Sequence, residues 1–101
     1  LVALALVLSL LAVSCSTDSS SDGGGADPLT VVATTSIWAD VAAAVAGDDA
    51  TVEVLVPRGA DPHGYQPSSR DVARLQSADL VIANGLGLEE GLSDVLDAAA
   101  A

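Results

Sequence analysis

The sequence has no methionine, no phenylalanine and no lysine, and it holds one cysteine, one histidine and two aromatic residues, Trp38 and Tyr65. A single cysteine excludes an internal disulfide and a cysteine-based zinc knuckle. Three basic residues stand against 14 acidic ones, for a formal net charge of −11. That balance excludes nucleic acid as a partner, because neutralising phosphates needs clustered Lys and Arg. It also argues against electrostatic docking on anionic lipid. With so few aromatics, a core must be packed from Ala, Val, Leu and Ile. The missing methionine leaves the chain without an initiator and predicts a start upstream of Leu1.

What is present divides along the chain. Residues 1–13 are apolar apart from Ser9. The run is shorter than the roughly 20 residues a spanning helix requires, and fits the apolar centre of a secretory signal occupying residues 1–14. It ends in Leu11-Ala12-Val13-Ser14-Cys15, which resembles a bacterial lipoprotein signal, in which small residues precede a cysteine that becomes the lipidated N-terminus. Ala12 stands where Leu is the commoner choice. The resemblance implies a lipid anchor on Cys15, made durable by more than one acyl chain. Residues 16–28, STDSSSDGGGADP, offer almost nothing to a core. With Cys15 they form a flexible tether, 15–28, about 20 Å long on average.

From Leu29 the pattern changes to that of a folded unit, 29–101. Leu29 to Thr34 reads as a buried strand opened by Pro28. Ser36 is a cap for a helix with Ile37, Val41 and Val45 on one face and Gly47 as its stop. Thr51 to Val56 is a second strand, and Glu53 within it suggests a sheet edge. Residues 57–67 are a loop rich in Pro, Gly and Asp. Ser68 and Asp71 form an S-x-x-D start for a helix carrying Val72 and Leu75. Leu80 to Ala83 is a third, apolar strand broken by Asn84-Gly85. Leu88, Leu92, Leu96 and Ala99 mark a last helix, with Glu89 and Glu90 in its first turn. Strands alternating with helices predict an α/β fold with a parallel sheet flanked by helices. The last helix runs off the end into alanines, which predicts a longer chain and an incomplete lobe.

The chemistry lies in Pro57-Arg58-Gly59-Ala60-Asp61-Pro62-His63-Gly64-Tyr65-Gln66-Pro67. His63 follows the carboxyl end of the second strand, where open α/β sheets place ligands. Neutral imidazole is the commonest metal ligand, and a hydrogen-bond acceptor usually orients its other nitrogen. A loop carbonyl or Asp61 could serve as that acceptor. On local chemistry alone, a lone loop histidine is more often a surface or turn-stabilising residue than a ligand.

Gly59 to Pro67, followed by Asp71, Leu75, Ala78-Asp79-Leu80-Val81 and Asn84-Gly85-Leu86 with Glu89, resembles the metal-binding lipoproteins of zinc and manganese ABC importers. Val32-Ala33-Thr34-Thr35-Ser36-Ile37-Trp38 and Ala46-Gly47-Asp48 are similar to the first strand and helix of that family. The resemblance implies two α/β lobes joined by a long helix, with this chain supplying part of the N-terminal lobe. It implies a zinc or manganese ion bound between the lobes as cargo, His63 as the first ligand, and further ligands from later in the chain. The implied partner is an ABC permease in the membrane, driven by an ATPase on its other side.

Within this frame Asp61 is expected to hold the turn, Asn84-Gly85 to end the strand, and Glu89 to answer the helix dipole. Tyr65 and Gln66 either line a cleft or pack the loop. Arg58 meets either the permease or a neighbouring carboxylate, and Trp38 either a core or a lobe interface. Capture of a metal ion is a binding function with no bond made or broken. Two alternatives are a surface adhesin of the same fold, and a metal-dependent hydrolase using Asp61 and His63. The second lacks a Ser or Cys nucleophile in any recognisable elbow.

Overall fold

A computed structural model describes residues 25–101. The signal segment 1–14, Cys15 and most of the tether lie outside the described residues. Strand β1 (Leu29–Ala33) leads into helix α1 (Ser36–Ala46), a short 3-10 turn (Gly47–Asp49) and strand β2 (Ala50–Val54). After the long loop come helix α2 (Ser69–Ser77), strand β3 (Leu80–Ile82), a second 3-10 turn (Glu90–Leu92) and helix α3 (Ser93–Ala100). The three strands form a parallel sheet in the order β2-β1-β3. The α/β class and the parallel pairing thus follow the alternation read from the sequence, while the order that puts β1 at the centre comes from the structure.

β1 is central because its residues tolerate burial on both faces. Val31, Val32 and Ala33 are all buried, as expected for an inner parallel strand. Val32 faces a cluster with Leu55, Val56, Leu75 and Leu92, with Val81, Leu96 and Ala99 packed around it. Backbone pairing continues past β2, where Leu55 N donates to the Ala33 carbonyl at 2.9 Å and Val56 N to the Thr34 carbonyl at 3.0 Å. β2 is an edge, as Glu53 suggested. Among the described residues β3 is the other edge, and Leu80 on it is 52% exposed. Asp79 clamps the start of β3 to the centre: its N–H donates to the Thr30 carbonyl, and its carboxylate accepts from Thr30 N at 2.7 Å.

α2 begins as the sequence predicts. The Ser68 hydroxyl accepts from Asp71 N while the Asp71 carboxylate accepts from Ser68 N, a reciprocal capping box that satisfies donors a helix start leaves open. Gly47, at φ 53°, ends α1, and its N–H donates to the Ala43 carbonyl. That left-handed backbone is readily available only to glycine.

Three local expectations are corrected. Thr35, not Ser36, occupies the cap position of α1, and it makes no side-chain cap bond. Ile37 and Val45 on α1 are 74% and 84% exposed, whereas Ala39 is buried. Ala39 faces the sheet with Ala42 and Ala46 half-buried beside it, whereas Ala43 and Ala44 are exposed; small side chains at the contact let the helix backbone approach closely and leave the larger stripe only partly covered. The last helix starts at Ser93 rather than near Leu88. Gly85, Leu86 and Gly87 all have positive φ, which no helix accommodates.

Candidate metal centre

The histidine loop is shaped by short-range bonds. Ala60 N donates to the Pro57 carbonyl at 3.0 Å, and Gly59 supplies the positive φ of 84° that this turn needs. Asp61 Oδ1 then accepts the main-chain N–H of His63 at 3.0 Å. This is the Asx arrangement in which an aspartate mimics a backbone turn. Asp61 therefore holds the loop, as expected.

The far end of the loop is tied down by Tyr65. Its hydroxyl donates to Asp71 Oδ2 at 3.0 Å. The same Asp71 oxygen accepts from Ser68 N at 2.9 Å and Ser68 Oγ at 2.7 Å. Burial pushes the Asp71 carboxyl up. The Ser68 and Tyr65 donors and the charge of Arg74 outweigh it, so the group sits below the usual carboxylate range. Burial, with the Asp71 hydrogen bond and charge, pushes the Tyr65 phenol up. Arg74 completes the network with Nε 2.8 Å from Glu53 Oε2 and with a bond to the Val54 carbonyl. Tyr65 is thus a packing residue, fastened to α2 and through it to the edge strand.

The His63 side chain is 61% exposed, and its Nδ1 lies 3.5 Å from Oε2 of Glu90. Among the described residues Nε2 has no hydrogen-bond or ion-pair partner. One ring nitrogen thus lies near a carboxylate, and the other has no protein partner among the described residues. A four-coordinate metal ion needs more than one imidazole. No group of three or more His, Cys, Asp or Glu side chains is placed to hold a metal among the described residues. His63 is therefore suited to be one donor of a larger set.

An open crevice of about 210 Å³ lies beside the loop, lined by Thr35, Val56, Pro57, Pro62, Asn84 and Leu88 among others. These residues follow the three strands, so the crevice lies at the carboxyl ends where parallel sheets bind ligands. It borders the histidine loop through Pro62, but none of its lining residues is a histidine or a carboxylate.

Two acidic residues that the sequence placed together in a helix turn are separated by the structure. Glu89 is 4% exposed. It accepts from the Thr34 hydroxyl, from Asn84 N at 2.7 Å and from Gly85 N at 3.0 Å. It is a buried tie between β1 and the turn after β3, not a residue answering a helix dipole. Asn84 ends its strand as expected and also accepts from Trp38 Nε1 at 3.1 Å, while Trp38 itself is 38% exposed. Glu90 points the other way, to His63. A Cβ on Gly91 would collide with the Tyr65 carbonyl and stand 2.9 Å from the Gln66 amide nitrogen. The one available hint was a glycine just after two glutamates, a poor choice for a helix interior. Arg58 pairs with the exposed Asp40, whose carboxyl is held below its usual range by that hydrogen bond.

The described residues thus form a parallel α/β sheet whose loop presents one imidazole near the carboxyl ends of the strands, the position where open α/β sheets bind ligands. Residues 31–101 match the family model of zinc-uptake complex component A, periplasmic, and the chain belongs to that family. It is 46% identical over 90 residues to the metal ABC transporter substrate-binding lipoprotein ScbA of Streptococcus cristatus, covering 85% of this chain and 29% of the relative. It is 45% identical over 87 residues to the manganese ABC transporter substrate-binding lipoprotein PsaA of Streptococcus pneumoniae, covering 86% and 27%. Among solved structures, the periplasmic zinc-binding protein TroA of Treponema pallidum superposes with a TM-score of 0.68 at 35% identity, over 70% of this chain and 26% of that one. The chain thus spans less than a third of the length of these relatives.

Proposed function

We propose that this chain is part of the N-terminal lobe of an extracytoplasmic solute-binding lipoprotein that captures a divalent transition-metal ion for an ABC importer. In this reading the ion is cargo, His63 is one of its ligands, and the remaining donors come from residues beyond those described. The lobe is held at the membrane by lipid on Cys15 and delivers its ion to the permease. The observation that carries the reading is the His63 ring itself: exposed, with one nitrogen against Glu90 and the other free, on a loop fixed by Asp61 and Tyr65.

Zinc and manganese are the cargoes the chemistry favours. An imidazole suits zinc, while added carboxylates shift a site towards manganese. The relatives carry both names, manganese for PsaA and zinc for TroA. Asp61 is already committed to the His63 main chain, which weighs against its use as a hydrolytic base. Adhesion has no observation in its favour.

Calorimetric titration of the full-length protein with zinc tests the reading. His63→Ala should weaken binding by about 100-fold or more, since even groups that merely orient a ligand are worth about 10–100-fold. An affinity equal to wild type would remove His63 from the site.

A further inference from the structure

The His63 ring has an acceptor that the loop does not provide. Asp61, the acceptor nearest in sequence, spends Oδ1 on the His63 main-chain N–H. The carboxylate that faces the ring comes instead from Glu90, 27 residues further on, with Oε2 3.5 Å from Nδ1. That spacing is slightly longer than a normal hydrogen bond. Both side chains are more than half exposed, so solvent leaves each free to adjust that spacing.

The juxtaposition is set by main-chain packing, not by two surface side chains meeting by chance. Gly91 lies so close to the Tyr65 carbonyl and Gln66 that no Cβ fits between them, which presses the Glu90 turn against the histidine loop. Glu89 fastens the same turn from below through Thr34, Asn84 and Gly85. Tyr65 fastens the loop through Asp71. Two adjacent carboxylates thus point in opposite directions, one into the fold and one onto the imidazole.

We infer that Glu90 is the positioning residue for His63. Its carboxylate accepts from Nδ1–H and so holds the tautomer whose Nε2 lone pair is free for the cargo ion. The inference rests on the proposed function only where it gives that lone pair a use; the pairing itself stands without metal. A neutral imidazole carries one proton on one of two nitrogens, and the partner of one nitrogen decides what the other offers. Glutamine at this position could still accept through its amide oxygen, whereas alanine could not.

The test has a metal-free arm and a metal arm. Long-range ¹H–¹⁵N spectra of the full-length protein, recorded where the ring is neutral, report which His63 nitrogen bears the proton; His63→Gln assigns the signal. The proton should reside on Nδ1 in wild type and in Glu90→Gln, and shift towards Nε2 in Glu90→Ala. A tautomer unchanged by Glu90→Ala would overturn the inference. In zinc titration, Glu90→Ala should lose about 10-fold in affinity, the low end for orienting partners, while Glu90→Gln stays within about 3-fold of wild type. Equal, large losses in both variants would overturn it too, because they would make Glu90 a ligand. If the tautomer responds as expected but His63→Ala binds zinc as wild type does, the proposed function fails and the pairing stands.

Discussion

The hydroxyl of Thr34, at the end of the central strand, donates to the carboxylate of Glu89, which lies 55 residues away in sequence. Thr34 is 0% exposed and Glu89 4%. The same carboxylate accepts two main-chain N–H groups from Asn84 and Gly85. A buried carboxyl group is tolerable only when its oxygens are hydrogen-bonded in this way. Here it shapes the turn that brings Glu90 to the histidine.

Glu89→Ala should therefore destabilise the protein by about 2–4 kcal/mol, because three buried or half-buried donors lose their acceptor together. Glu89→Gln should cost less, since an amide oxygen still accepts. Urea unfolding of the three proteins checks the order, and a cost below about 0.5 kcal/mol for the alanine variant would contradict the account.

Asp71 predicts an acid limb. Its carboxyl is held below the usual range, so the folded state binds this proton less readily than the unfolded one. The associated stability is complete above about pH 4, where the unfolded group is ionised, and is lost as pH falls through the lower folded value. Tyr65→Phe removes one donor, costs about 1 kcal/mol near neutrality, and moves the acid transition to higher pH. Circular dichroism against pH gives both midpoints; coincident curves would mean that the Tyr65 hydroxyl does not stabilise the Asp71 carboxylate.

Gly91→Ala should push the Glu90 turn off the histidine loop. Its Cβ meets the Tyr65 main chain as well as the Gln66 side chain, and the main chain cannot swing away. A loss of about 1–3 kcal/mol is expected, measured by urea unfolding. A variant as stable as wild type would show that the two segments do not need this contact.

Cys15→Ser tests the anchor. Fractionation of cells expressing the full-length protein should move it from the membrane to the soluble extracytoplasmic fraction. Retention in the membrane would point to an anchor other than lipid on Cys15.

How much was legible in the sequence depends on the range of each interaction. The Ser68–Asp71 cap closes over three residues, and its S-x-x-D spelling announces it. Gly47 and the Asp61 turn are similarly local. The buried centre of β1 shows in its β-branched apolar run, and the edge position of β2 in Glu53. The loop around His63 carried the family resemblance because its Gly, Pro and Asp residues are chosen for backbone shape.

Other features have no local signature. The stripe of Ile37, Val41 and Val45 has a helical period, but period alone does not say which face turns inward. Ala39 takes the buried place, where close approach of helix to strand favours a small side chain. Glu89 and Glu90 look alike in sequence, as two acids at the start of a helix.

The sequence by itself determined the alternation of strands and helices, the parallel sheet, and the loop that carries the only histidine, because each follows from neighbours a few residues apart. The tertiary structure alone decided that Glu89 is buried against Thr34, that Glu90 faces His63, and that Gly91 leaves room for both. The physical reason is desolvation and packing. Whether a carboxylate is buried as a tie or left outside to orient a ring depends on donors and main chain that arrive from distant parts of the chain.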